Sequence, residues 1–146
     1  MERGRNAMEN KFARGFIVSS FLYLAAGTSL GLMMALTAQR QSWLVPAHVH
    51  LNLIGWATGL IAGVTYHIIP RFFGRRLFSV PLGWAHFILV QAGLPGLAVL
   101  LPLERLAPGA HPLALALFGG MTYVSFLCYS VNMLGTIWFG KRLGDN

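Results

Sequence analysis

From Pro46 to Pro70 the chain carries no lysine, arginine, aspartate or glutamate, yet it holds His48, His50 and His67, three of its five histidines. As a helix rising ~1.5 Å per residue, such a run is long enough to cross ~30 Å of hydrocarbon. Prolines bracket it. The first stands in the opening turn, where a proline costs no hydrogen bond, and the second stands where a helix should stop. Polar side chains inside a membrane span are expensive, so those in this run are functional candidates by default.

At about 100° per residue, His48, Asn52, Gly55, Gly59, Gly63 and Tyr66 fall on one face, with Trp56 and His67 at its edge. The opposite face carries His50, Leu53, Ala57, Ile61 and Val64. One side of the helix is therefore a shallow glycine trough with a histidine at its N-terminal end. A trough of this kind accepts a neighbouring helix through glycine-mediated packing. It equally accepts a flat cofactor.

Composition places the rest of the chain in the same environment. Of 146 residues, 55% are hydrophobic and 10% charged, against roughly 25% charged in soluble domains. The length suits one domain spanning residues 1–146. Three further apolar runs lie at about 15–38, 80–101 and 113–138, beside the run at 46–70. The expected fold is all-α, an integral membrane four-helix bundle. Basic residues before the first run also resemble a signal peptide, but the run exceeds the ~7–15-residue signal core and no cleavage motif follows it, so an uncleaved span is expected. Residues 1–14 form a polar, basic lead, and residues 102–112, with Pro102, Glu104, Pro108, Gly109 and Pro112, read as loop. Gly93, Pro95 and Gly96 mark a candidate kink in the third span. Thr122, Ser125, Tyr129, Asn132 and Thr136 form a polar stripe on the fourth, expected to face the bundle interior. Trp43 is placed to sit at the headgroup level.

The net charge of +7 does not mark a nucleic-acid face, because the basic residues cluster at span ends and in loops. Nine of the eleven lie before the first span, after the second and at the C-terminus; only Arg40 and Arg105 lie on the other side. The positive-inside rule then puts both termini in the cytoplasm, with the lipid bilayer of a prokaryotic inner membrane as the expected location. His48, His50 and His111 fall near the outer surface, His67 and His86 near the inner one. The single cysteine, Cys128, reads as a small core residue.

Catalytic machinery is sparse. Glu2, Glu9, Glu104 and Asp145 all lie outside the spans, so the chain has no intramembrane carboxylate relay. It has no phosphate loop, nucleophile elbow or cysteine set of the zinc type. His48 and His67 stand about 28 Å apart along a helix and cannot serve one metal. His48 and His50 point about 160° apart on a regular helix, so chelation by both needs an unwound first turn. One axial histidine to a haem suits the wheel better, with His111 or a residue of another subunit as the second ligand. His67 and His86 flank a loop and would meet across a hairpin; as interfacial residues they would simply sit beside lipid headgroups, the reading favoured for His86.

The run beginning His48-Val-His-Leu-Asn-Leu-Ile-Gly-Trp, with Gly59, Gly63 and a Tyr66-His-Ile-Ile-Pro-Arg ending, resembles the second transmembrane helix of subunit I in the haem–copper oxidase and nitric oxide reductase superfamily. The likeness extends over roughly residues 40–95, through Pro70-Arg-Phe-Phe-Gly-Arg-Arg to Trp84-Ala-His-Phe. It implies a low-spin haem b ligated by His48, or by His50 with a one-residue shift. Gly55, Gly59 and Gly63 would then make room for the porphyrin, and Arg40 would pair with a propionate. Counterparts of the family's copper-ligating His-Pro-Glu-Val-Tyr and His-His elements are not found. Since subunit I is built as three pseudo-equivalent four-helix arcs, the analogy implies a homo-oligomer, with a trimer favoured over a dimer.

The leading expectation is a haem b-binding membrane protein, in electron transfer from a respiratory-chain donor or in binding nitric oxide or oxygen. The alternatives are a non-catalytic structural or assembly subunit, and a copper-ion binder using His48 and His50. Reporter fusions at residue 146 should score as cytoplasmic; an outer signal there would overturn the topology. Native mass spectrometry from mild detergent should show an oligomer rather than a monomer.

Overall fold

The computed structural model describes residues 2–37 and 42–142, with side chains of the first helix from Lys11 onward. Ala38 and Arg40 lie outside the described residues. Helix α1 runs Glu2–Leu36, and a 3₁₀ turn follows at Ser42–Leu44. The second span is one continuous helical run of three parts: α2 at Val45–His50, a π-helical segment at Leu51–Thr58, and α3 at Gly59–Phe72. Helices α4, Val80–Leu106, and α5, Pro112–Phe139, complete the bundle. Four helical stretches are long and apolar enough to cross a membrane: Lys11–Leu36, Ser42–Phe72, Val80–Leu106 and Pro112–Phe139. The fold is an all-α four-helix membrane bundle. No strand occurs among the described residues, only an isolated bridge between Arg75 and Arg142.

Two boundaries differ from the sequence expectation. The basic lead is no separate element, because α1 begins at Glu2 and its 35 residues extend about 52 Å, well beyond a hydrocarbon core. Residues 102–106, expected as loop, continue α4. A proline inside a helix removes one N–H bond. Ending the helix there would leave several carbonyls unpaired instead, and in an apolar phase that is the larger loss. The connection shrinks to 107–111, where Gly109 adopts φ +77° and its N–H is met by the Glu104 carboxylate.

α1 lies along the second span, and α4 along α5. The first pairing is an interlock of glycines with larger side chains. A Cβ on Gly31 would stand 2.7 Å from His48 Cε1, one on Gly55 2.6 Å from Tyr23 Cγ, and one on Gly63 2.8 Å from Ile17 Cγ1. Gly27 likewise leaves space for the Asn52 amide. The expected glycine face is real, and helix α1 fills it. The α4–α5 contact uses the same device, with Thr122 seated against Gly93 and Phe118 against Gly96.

The polar stripe of α5 faces inward: Thr122, Ser125, Asn132 and Thr136 are buried. Thr122 and Ser125 donate to carbonyls of their own helix, while Asn132 and Thr136 satisfy the backbone of the segment joining α3 to α4. Asn132 Oδ1 accepts from Ser79 N at 2.9 Å while Asn132 Nδ2 donates to Ser79 O at 2.8 Å. Thr136 Oγ1 accepts from Phe78 N at 3.0 Å. Ser79 in turn caps α4, its Oγ accepting from Leu82 N at 3.3 Å. From the same segment Arg75 donates to the carbonyls of Trp138 and Gly140, two of the groups a helix end leaves unpaired.

Replacing Asn132 by leucine should therefore leave the Ser79 N–H without a partner and its C=O with only the Gly83 N–H, at about 1–3 kcal/mol. Thermal unfolding of the detergent-solubilised chain should show a lowered midpoint for Asn132→Leu. Ser130→Leu, at an exposed position of the same helix, should leave it unchanged.

Candidate functional site

At one end of the bundle, α2 carries both histidines of the opening motif. His48 is half-buried between α2 and α1, and its Nδ1 donates to Gly27 O at 2.7 Å. A carbonyl only accepts, so the proton sits on Nδ1, and among the described residues Nε2 has no hydrogen bond. That arrangement orients an imidazole for ligation through Nε2. Asn52 supports it from one turn further on, donating from Nδ2 to His48 O at 2.8 Å and lying 3.4 Å from His48 Nδ1. The ring rests on Gly31, whose missing side chain makes the position possible.

His50 holds the same tautomer by a different route. Its Nδ1 donates to Pro46 O at 2.8 Å, within its own helix. Both imidazoles thus offer a free Nε2, but only His48 is anchored across two helices. The two rings are tied to different carbonyls, and among the described residues no three His, Cys, Asp or Glu side chains form a metal-sized cluster. His111 is exposed at the N-cap of α5 with no side-chain cap bond.

The widened segment begins immediately after His50. Gly59 N donates to Ile54 O, five residues back, and Thr58 Oγ1 donates to Leu53 O at 2.8 Å. π-helical turns are frequent at functional sites because they re-aim the side chains beyond them. Here the turns contain Gly55 and lie against Tyr23. Gly55, Gly59 and Gly63, expected to border a porphyrin, face α1 instead: Tyr23 packs at Gly55, Ser20 at Gly59, and Phe16 and Ile17 at Gly63. Trp56 is half-buried beside them.

Toward the other end lies a second polar group. His86 is 2% exposed, so its expected place among lipid headgroups is overturned. Its Nδ1 lies 3.1 Å from Tyr66 Oη. The ring packs among Phe16 at 4.5 Å, Tyr129 at 5.1 Å and Phe126 at 6.3 Å between centroids. Tyr66 itself is buried, edge-on to Phe12 at 4.9 Å. The reason is register: His86 stands two turns into α4, on the face turned to α1 and α3. His67, by contrast, is exposed, and the two histidines belong to different surroundings.

Sequence reasoning passed over Gln91. It accepts from Tyr23 Oη at 2.5 Å and donates to Ser19 Oγ at 2.5 Å, tying α4 to α1 in mid-span. An amide alone in an apolar run was the available signal. Tyr129 is tied similarly, 2.8 Å from Thr65 Oγ1 on α3.

No protein-family model matches the chain, and comparison with solved structures returns no significant match. Among curated proteins, the cbb3-type cytochrome c oxidase subunit CcoN1 of Stutzerimonas stutzeri is 32% identical over 84 residues. The match takes in 53% of this chain but only 18% of that subunit's length, so what the chain resembles is part of a respiratory oxidase subunit.

Proposed function

We propose that the protein is a haem b-binding membrane subunit of the haem–copper oxidase type, with His48 as an axial ligand. One observation carries the reading: an imidazole anchored by Nδ1 to the Gly27 carbonyl, with Nε2 free, at the histidine of the motif that resembles an oxidase helix. The partial likeness to the S. stutzeri oxidase subunit supports it from outside the site. The residues fit the group in the axial imidazole and its support. Gly27 and Gly31 give the ring its place, and Asn52 braces the same turn. They do not fit a porphyrin lying along Gly55, Gly59 and Gly63, where α1 is seated. The glycines therefore serve the ligand indirectly, by holding α1 close enough for Gly27 to orient His48.

Bound haem would supply one-electron exchange or a binding position for a small gas. The chain's own part is to fix the tautomer, hold the ring and keep it in an apolar phase. Among the described residues no cluster of three ligating side chains forms at His48, and a second ligand from another copy or another subunit suits a homo-oligomer and an electron donor in the same inner membrane. The competing reading, a structural or assembly subunit, draws on the filled glycine face. A copper ion on His48 and His50 has less support, because the two rings are tied to different carbonyls.

Protein purified from its native host should show a haem absorption band. His48→Ala should lower haem content by ~10-fold or more, and His50→Ala should leave it largely intact. A band lost only with His50→Ala would move the ligand to that residue. A colourless wild type after haem supplementation would favour the structural reading, and copper found by metal analysis the third.

A further inference from the structure

At the end of the bundle where the basic residues gather, an open cleft of about 420 Å³ lies between α1 and α3 beside their contact at Gly63. That volume is typical of small-molecule sites, which span roughly 300–1,000 Å³. Its wall is sorted by depth. Arg14 on α1 and His67 on α3 are exposed and stand at the mouth. One turn deeper on each helix lie Ile17 on α1 and Gly63 with Val64 on α3. The backbones come close here, a Cβ on Gly63 standing 2.9 Å from Ala13 O, so the cleft floor is backbone and aliphatic surface. Positive charge continues outward from the mouth. Lys11 is exposed one turn before Arg14, and Arg71 follows His67 by one turn, its guanidinium donating to His67 O at 2.6 Å.

A cationic mouth over an apolar slot, aligned with the span axis, has the polarity of one leaflet of a bilayer. We infer that this cleft binds an anionic phospholipid. Its phosphate would meet Arg14 and an N–H of His67, and an acyl chain would run along Ile17, Gly63 and Val64 toward mid-span. Two features select a lipid over a soluble anion. The apolar half of the cleft has no use for free phosphate, and the side facing away from the bundle, with Ile68 and Val64 exposed, opens where lipid tails lie. The charge selects an anionic headgroup over a zwitterionic one, since basic residues near a membrane surface each favour anionic lipid by a factor of about 5. The site is independent of any haem at the His48 end.

The test uses the full chain in mild detergent, with added dioleoyl phosphatidylglycerol or dioleoyl phosphatidylcholine, which share their acyl chains. Native mass spectrometry should show phosphatidylglycerol retained about 5-fold more than phosphatidylcholine. Arg14→Gln and His67→Gln should each reduce that preference, whereas Lys141→Gln, at the same end but outside the cleft, should preserve it. Val64→Trp, which fills the slot, should lower retention of both lipids. Circular dichroism establishes that each variant is folded, and the exposed position of Arg14 makes Arg14→Gln the deciding one. Equal retention of the two lipids, or an unchanged preference in Arg14→Gln, would overturn the inference. So would abolition of the preference by millimolar inorganic phosphate, which marks a free-anion site. A second copy of the chain retained in place of lipid, and lost in Val64→Trp, would do the same.

Discussion

In hydrocarbon a backbone N–H or C=O without a partner costs several kcal/mol, and water is not there to supply one. Several departures from regular helix among the described residues follow that constraint. The segment between α3 and α4 is the clearest instance, since it leaves the helical ladder against the buried Asn132 and Thr136 of α5. Asn132 meets both polar groups of Ser79, Thr136 takes the N–H of Phe78, and Arg75 takes carbonyls at the end of α5. The π-helical turns obey the same rule by shifting bonds one residue further back rather than breaking them. α4 likewise passes through Pro95 and Pro102 without ending. The polar stripe on α5, which on a wheel resembles a pathway, is largely backbone pairing carried out by side chains.

Helix association in an apolar phase rests on close fit rather than on exclusion of water. The glycines supply that fit. Gly27 and Gly31 on α1 receive Asn52 and His48, while Gly55 and Gly63 on the second span receive Tyr23 and Ile17. The exchange runs both ways, each helix offering gaps to the other's side chains. The same interlock gives His48 its carbonyl partner. Packing and the candidate site are thus one arrangement: a larger residue at Gly31 would disturb the helix pair and the imidazole together.

Polar side chains in the interior also divide by location. Near the His48 end they orient one ring through its Nδ1, and among the described residues its Nε2 has no partner. In mid-span, Tyr23, Gln91 and Ser19 close on one another. Toward the basic end, His86 and Tyr66 pair among aromatic rings. The first group ties a histidine to the backbone of another helix, whereas the other two tie side chain to side chain across helices.

The sequence by itself determined the four spans and the inward stripe of α5. Apolar run length sets the first, and periodicity the second. It also determined that His48, Asn52, Gly55, Gly59 and Gly63 share a face, because a wheel depends only on local geometry. What fills that face depends on which helix comes to lie against it, and a single helix's periodicity is silent on that point. Tertiary structure decided that α1 occupies the trough, that His86 is buried beside Tyr66 rather than set among headgroups, and that Gln91 joins α4 to α1. It also carried α4 past Pro102, where proline's local preference loses to the cost of unpaired carbonyls in an apolar phase. The direction of each histidine ring was decided there too, since the Gly27 carbonyl that sets the tautomer of His48 belongs to another helix.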